Sequence, residues 1–92
     1  MKAIRIIITG KVQGVFFRQH TKKTAEQFGV KGFVQNISDG SVYIEAEGDD
    51  ETLQQFIESC KLGSPQSSVE KLNVSEITFI GFKKFIIRHG DS

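Results

Sequence analysis

Apolar and polar positions alternate along this chain with two periods, and the switches between them mark its elements. Residues 3–12 are rich in Ile and apolar on both faces, which predicts an interior strand rather than a half-exposed one. From Phe17 the period changes. Phe17, Thr21, Ala25 and Phe28 recur at helical spacing, and Gly29 stands where a helix C-cap belongs. Val30 to Ile37 reads as a second strand, with Gly32 inside it pointing to a close backbone approach. Ser38-Asp39-Gly40-Ser41 is a hairpin turn signal. Val42, Ile44 and Ala46 then alternate with Tyr43, Glu45 and Glu47, the pattern of a half-buried strand. Asp49, Asp50 and Glu51 put acids at the start of a second helix, where the macrodipole favours them. Leu53, Phe56, Ile57 and Cys60 form its apolar stripe, and Gly63 and Pro65 end it. A fainter pattern from Val69 to Ile77 predicts a fourth strand, and Phe85 to His89 a short last one. The tail Gly90-Asp91-Ser92 is expected to fray.

The resulting order, βαββαβ with a short extra C-terminal strand, predicts an α+β fold: an antiparallel sheet with two helices on one face, the ferredoxin-like α/β sandwich. Right-handed crossovers place strands one and three in the middle of that sheet. The two-sided apolarity of residues 3–12 agrees with a central place. At 92 residues the chain makes one domain, 1–92. Its 38% hydrophobic and 25% charged content are those of a soluble globular domain. A formal net charge of +1 argues against a general nucleic-acid binder and leaves room for a local basic pocket. The single cysteine, Cys60, allows no intrachain disulfide and no Cys-based zinc site, and it fits a reducing compartment. The Ile run after Met1-Lys2 is interrupted by Arg5 and is too short for a signal-peptide core or a membrane span. A cytoplasmic monomer is therefore expected, with no membrane or nucleic-acid partner.

Candidate chemistry concentrates in Gly10-Lys11-Val12-Gln13-Gly14-Val15-Phe16-Phe17-Arg18, where the strand pattern gives way to the helix pattern. A glycine-bearing turn of this kind can aim several backbone N–H groups at one point, and Arg18 adds a permanent cation with a fork of donors. The combination suits a tetrahedral dianion such as a phosphoryl group. It is not a nucleotide loop, because no Lys-Ser/Thr follows the last glycine and the spacing G-x-G-x-x-G is missing. Read plainly, the same residues make a tight strand–helix turn whose arginine caps or pairs. Asn36, near the end of the second strand, has a plain reading in local backbone bonding before a turn. In this topology it can also face the turn that follows a neighbouring strand. Other residues have plainer readings. His20 and His89 are read as surface or supporting groups, Cys60 as a small hydrophobe, and Lys22-Lys23 and Lys83-Lys84 as solvated faces. Phe28, Phe56, Phe79, Phe82 and Phe85 are assigned to core and sheet packing.

Gly10 to Arg18 resembles the first signature of the acylphosphatases, G-x-V-Q-G-V-x-F-R. Gly32-Phe33-Val34-Gln35-Asn36, followed by Asp39-Gly40-Ser41-Val42 and Gly48, resembles the second. The similarity runs on through Gly63-Ser64-Pro65 and Phe85-Ile86-Ile87-Arg88, and with His20-Thr21 it looks closest to the small animal-type members. The resemblance implies that Arg18 binds the substrate phosphoryl group and that Asn36 orients the attacking water. It also implies that the backbone N–H groups of Gln13, Gly14, Val15, Phe16, Phe17 and Arg18 form the cradle. Phe33 stands where many members have Trp, and Gln35 replaces a frequent basic residue. The implied activity is hydrolysis of the carboxyl–phosphate bond of small acyl phosphates, with inorganic phosphate as a product and no metal or cofactor. An acyl phosphate is a mixed anhydride whose carboxylate departs unprotonated at neutral pH, so the site needs no general acid. Two other classes compete. A non-catalytic phosphate-binding regulatory module would keep the cradle but has no need of Asn36. An RNA-binding ferredoxin-like domain would carry aromatics on its central strands, where this first strand has Ile and Arg.

Overall fold

A computed structural model describes residues 1–89, and the expected fraying of Gly90-Asp91-Ser92 falls outside the described residues. The elements are β1 (Lys2–Lys11), α1 (Phe17–Phe28), β2 (Lys31–Asn36), β3 (Val42–Gly48), α2 (Asp50–Leu62), β4 (Ser68–Ile77) and β5 (Phe85–Arg88). The strands form one sheet in the order β4-β1-β3-β2-β5, with β1 and β3 central as the crossover rule requires. The first four strands pair antiparallel, and β5 extends the sheet parallel to β2.

One face of the sheet carries Ile4, Ile6 and Ile8 from β1, Val34 from β2, and Val42, Ile44 and Ala46 from β3. They are buried against Phe17 and Ala25 of α1 and the α2 stripe of Leu53, Phe56, Ile57 and Cys60. Burial of these side chains is the main force holding helices to sheet, at about 1.5–3 kcal/mol for each large aliphatic or aromatic group. β4 is an edge strand with mostly exposed residues, and an edge with one neighbour needs no strong alternation. Two glycines are fixed by close approach. A Cβ on Gly32 (φ 142°) would lie 1.9 Å from the Glu45 carbonyl oxygen, so β2 and β3 can meet only with glycine there. A Cβ on Gly10 (φ 129°) would lie 2.2 Å from the Ser68 carbonyl oxygen, at the bulge where β1 parts from its regular pairing with β4.

The Phe assignments divide. Phe56 and Phe85 pack edge-on in the core with ring centroids 6.0 Å apart. Phe82 meets Phe33 edge-on at 5.8 Å, and the Arg88 guanidinium lies 3.8 Å over the Phe33 ring. Phe28 and Phe79 are 37% and 47% exposed, so these two do not belong to the core. Phe28 is the last residue of α1, where the packed stripe runs out at the Gly29 cap.

Glu47 also departs from the alternating pattern of β3, being only 2% exposed. Its two carboxyl oxygens accept hydrogen bonds from the backbone N–H groups of Ile80 (2.7 Å), Gly81 (3.1 Å) and Phe82 (2.7 Å). The β4–β5 connection folds over the end of β3 and supplies donors that the sequence pattern could not reveal. Glu47→Ala leaves those three N–H groups without their acceptor and is expected to cost about 2–4 kcal/mol, read as a lower midpoint in urea unfolding.

Burial pushes the Cys60 thiol up to about 12 from the ordinary value of 9.0. The native state holds this proton more tightly than the unfolded chain. Its contribution to stability is therefore complete below 9.0 and is lost as the pH rises from there toward about 12. At pH 8 the thiol is expected to stay silent to a disulfide reagent in the native protein and to react fully in denaturant. Fast reaction of the folded protein would contradict this placement.

Candidate active site

β1 and β2 are both antiparallel to β3, so they run the same way and end at the same edge of the sheet. The register aligns Ile8 with Val42 and Val42 with Asn36. Asn36 thus lies two strand spacings, roughly 10 Å, across from Ile8 in the last part of β1. α1 packs over β2 and β5, so the connection leaving β1 must cross this edge, and the first turn of the helix arrives beside Asn36. β5 runs parallel to β2 and pairs Arg88 with Gln35, which brings the chain after Arg88 out at the same edge.

The crossing ends on Phe16, the N-cap of α1, in the left-handed region at φ 60° and ψ 24°. Its carbonyl accepts the first helical bond, from the N–H of His20 at 3.0 Å. Phe16 makes no side-chain cap bond, and the first turn contains no acidic residue. The N–H groups of Phe17, Arg18 and Gln19 therefore meet no carbonyl of their own helix and no capping group. Among the described residues, no hydrogen bond engages the N–H groups of Gly14, Val15 or Phe16 either. An uncapped helix start with free donors and a positive dipole end is a ready anion site.

Three long-range hydrogen bonds, in two tethers, hold the turn in place. The Gln13 side-chain amide donates to the carbonyls of Ile37 (2.8 Å) and Ser41 (2.9 Å), tying the turn to the β2–β3 hairpin. Ser41 is itself fixed by Asp39, whose Oδ1 accepts from its hydroxyl at 2.6 Å and from its N–H at 2.9 Å. Those two bonds, the hydroxyl's first, hold the Asp39 carboxyl below its ordinary pKa. On the other side, the buried Ser64 hydroxyl donates to the Val15 carbonyl at 2.9 Å.

The cavity between these segments is open to solvent on one side and measures about 350 Å³. Of the predicted site residues, Gly14, Phe16, Phe17, Arg18 and Asn36 line it. Gln13 and Val15 stand behind the turn, in the two tethers just described. Asn36 Oδ1 is buried and has no hydrogen-bond partner among the described residues. Gln19 extends the donor row one residue beyond the predicted cradle, and Val12 and Ile87 add apolar wall. His89 also lines the cavity, with Nδ1 at 3.3 Å from Arg18 Nη1. Sequence reasoning passed over it because it stands 71 residues from Arg18 near the chain end. The only available signal was a last strand parallel to β2. His20 is half-buried and does not line the cavity. Among the described residues no Asp or Glu lines the cavity, and no group of three or more His, Cys, Asp or Glu could hold a metal ion.

The sequence model of the acylphosphatase family matches residues 4–87. The chain belongs to the acylphosphatase family. It is 47% identical over 90 residues to the acylphosphatase of Ligilactobacillus salivarius, covering 97% of this chain and 100% of that one. It is 44% identical over 89 residues to the acylphosphatase of Thermotoga maritima, covering 97% and 99%. The crystal structure of the Bacillus subtilis acylphosphatase superposes with a TM-score of 0.94 at 42% identity, over 96% of this chain and 99% of that one. These relatives are bacterial, so the animal-type likeness of His20-Thr21 and Gly63-Ser64-Pro65 is one of motif and does not place a lineage. Membership makes the protein a hydrolase, and the cavity at the end of β1 and β2 is where an acylphosphatase signature becomes a shape.

The tethers give a test of this site that leaves its lining residues untouched. Gln13→Ala removes two hydrogen bonds and Ser64→Ala one, at about 1 kcal/mol each. Both variants are expected to fold, with acyl phosphate turnover reduced about tenfold as the donors lose alignment. Unchanged turnover in both would show that the turn keeps its shape without them.

Proposed function

We propose that this acylphosphatase hydrolyses small acyl phosphates to carboxylate and inorganic phosphate, by in-line attack of a water held by Asn36 on a phosphoryl group bound by Arg18 and the backbone donors of the 13–18 turn. The observation that carries this reading is the buried, unpartnered Asn36 Oδ1 in one cavity with the Arg18 guanidinium and the uncapped start of α1. A buried amide oxygen without a partner costs roughly 1–3 kcal/mol, which an occupying water repays. A water donating to Oδ1 keeps a lone pair free for phosphorus.

The rest follows from charge. The phosphoryl group brings negative oxygens that the orphan N–H groups and the Arg18 fork are built to meet, and phosphoryl transfer depends on such positioning and charge stabilisation. Acylphosphatase chemistry of this kind needs no acid for the leaving carboxylate. No carboxylate among the described residues lines the cavity wall to act as base, and in this reading the water's proton passes to a phosphoryl oxygen of the substrate. Asn36 also separates this reading from a binding module, which needs the cradle but not a water-holding amide. We further propose a cytoplasmic monomer, supported by the near-balanced charge and the free, buried cysteine.

Arg18→Lys exchanges a planar fork for a point charge and is expected to cut kcat/KM by about a hundred- to a thousandfold with the fold intact. Asn36→Ala is expected to lower kcat by a similar factor while inhibition by inorganic phosphate weakens much less. Assays on acetyl and benzoyl phosphate with and without chelator check both. Near-normal turnover by Asn36→Ala would remove its water-holding role, and loss of wild-type activity in chelator would remove the metal-free mechanism.

A further inference from the structure

We infer that the Phe16 ring forms a subsite for the acyl group of the substrate and favours acyl phosphates with a flat apolar acyl group over small ones. This rests on the proposed reading for the direction in which the acyl group leaves the phosphorus. Phe16 is the one non-glycine residue with positive φ among the described residues. For an L-residue with a Cβ this conformation costs about 1–2 kcal/mol, and glycine or asparagine would hold the same backbone more easily. Strain of this sort is usually offset by packing, yet the Phe16 ring is 70% exposed and is no part of the core. Neither backbone preference nor fold stability accounts for an aromatic ring here. Its position does, because it stands in the wall of the cavity, two residues before Arg18.

The cavity is also more than an anion site. A volume of about 350 Å³ falls in the range of small-molecule pockets. Besides the donors, the wall includes the apolar side chains of Val12, Phe16, Phe17 and Ile87. In-line displacement sets the direction. Water, phosphorus and leaving oxygen lie roughly on one line. The water sits at the buried Asn36 Oδ1, so the acyl group extends away from it, outward. Phe16 is the exposed apolar residue of the cavity wall, where Val12 and Phe17 are buried and Ile87 half-buried. An aryl acyl group can cover the ring where an acetyl group cannot.

The test separates this subsite from the hydrolytic reading by measuring binding without turnover. Benzoylmethylphosphonate and acetonylphosphonate carry a methylene in place of the bridging oxygen, and calorimetry gives their affinities for the wild type, Phe16→Asn and Phe16→Tyr. Asn tolerates the left-handed backbone, and Tyr keeps the ring. The wild type is expected to prefer the benzoyl compound about two- to tenfold, the range of one aromatic pair. Phe16→Asn is expected to lose that preference and Phe16→Tyr to keep it. Any disturbance of the cradle scales both ligands alike, so the ratio isolates the ring. In the kinetics, the KM ratio of benzoyl to acetyl phosphate should shift with the binding ratio, since this contact is made equally in ground and transition states. No preference in the wild type, or one that survives in Phe16→Asn, overturns the subsite. Failure of the wild type to hydrolyse either acyl phosphate would instead overturn the hydrolytic reading, while the binding ratio still decides the ring.

Discussion

Among the described residues the N–H groups of Phe17, Arg18 and Gln19 meet no partner, because Phe16 supplies no cap and the first turn of α1 carries no acid. That unfilled demand is the constraint on which the rest of the site depends. Most helices close their first turn with a Ser, Thr, Asp or Asn side chain. Here the helix start is left open toward the cavity, with Arg18 at its second position and Asn36 across the same edge. The arrangement gives up some stability of the free protein in exchange for a site already shaped to its anion. Preorganised donors of this kind need no rearrangement at the moment of reaction.

The opposite edge of the sheet shows the same problem solved internally. There the N–H groups of Ile80, Gly81 and Phe82 converge on the Glu47 carboxyl, which comes from the far end of β3. A carboxyl group of the protein fills one set of backbone donors, and in the proposed reading the other is kept for the phosphoryl group. Both depend on remote segments. The 78–84 connection is gathered by Glu47, whereas the 13–18 turn is held from outside by Gln13 on the hairpin and Ser64 on Val15. Holding the turn by its back leaves its front donors free.

In the proposed function, so small a protein can serve as an enzyme because of the bond it attacks. A mixed anhydride brings its own leaving group, so charge stabilisation and a placed water suffice. Both can be supplied by one turn, one arginine and one amide at the end of two like-directed strands. The proposed role of Phe16 adds a preference among acyl groups without another element, by placing a ring where the helix cap would otherwise sit.

Periods and turn residues determined the elements by themselves. The Ile-rich run made β1 central, the Phe17–Thr21–Ala25 and Leu53–Cys60 stripes made the two helices, and Gly32 announced a close approach that the Glu45 carbonyl confirms. Local chemistry made the Gly10–Arg18 turn legible as an anion cradle, since glycines, a helix start and an arginine are neighbours in the chain. The sequence could not show contacts between segments far apart. Glu47 lay on the polar side of an alternating strand, and only the fold of the β4–β5 connection buries it. Gln13 was legible only as a backbone member of the cradle and Ser64 only as part of a helix-ending turn, and their side-chain partners, 24 to 49 residues away, come within hydrogen-bonding distance only in the fold. His89 entered the cavity because β5 pairs parallel to β2, a choice that no local pattern encodes. Periodicity and turn chemistry act between near neighbours and are written in the chain, whereas register and strand direction are set by the packing of the whole sheet, and these decide which distant side chains meet.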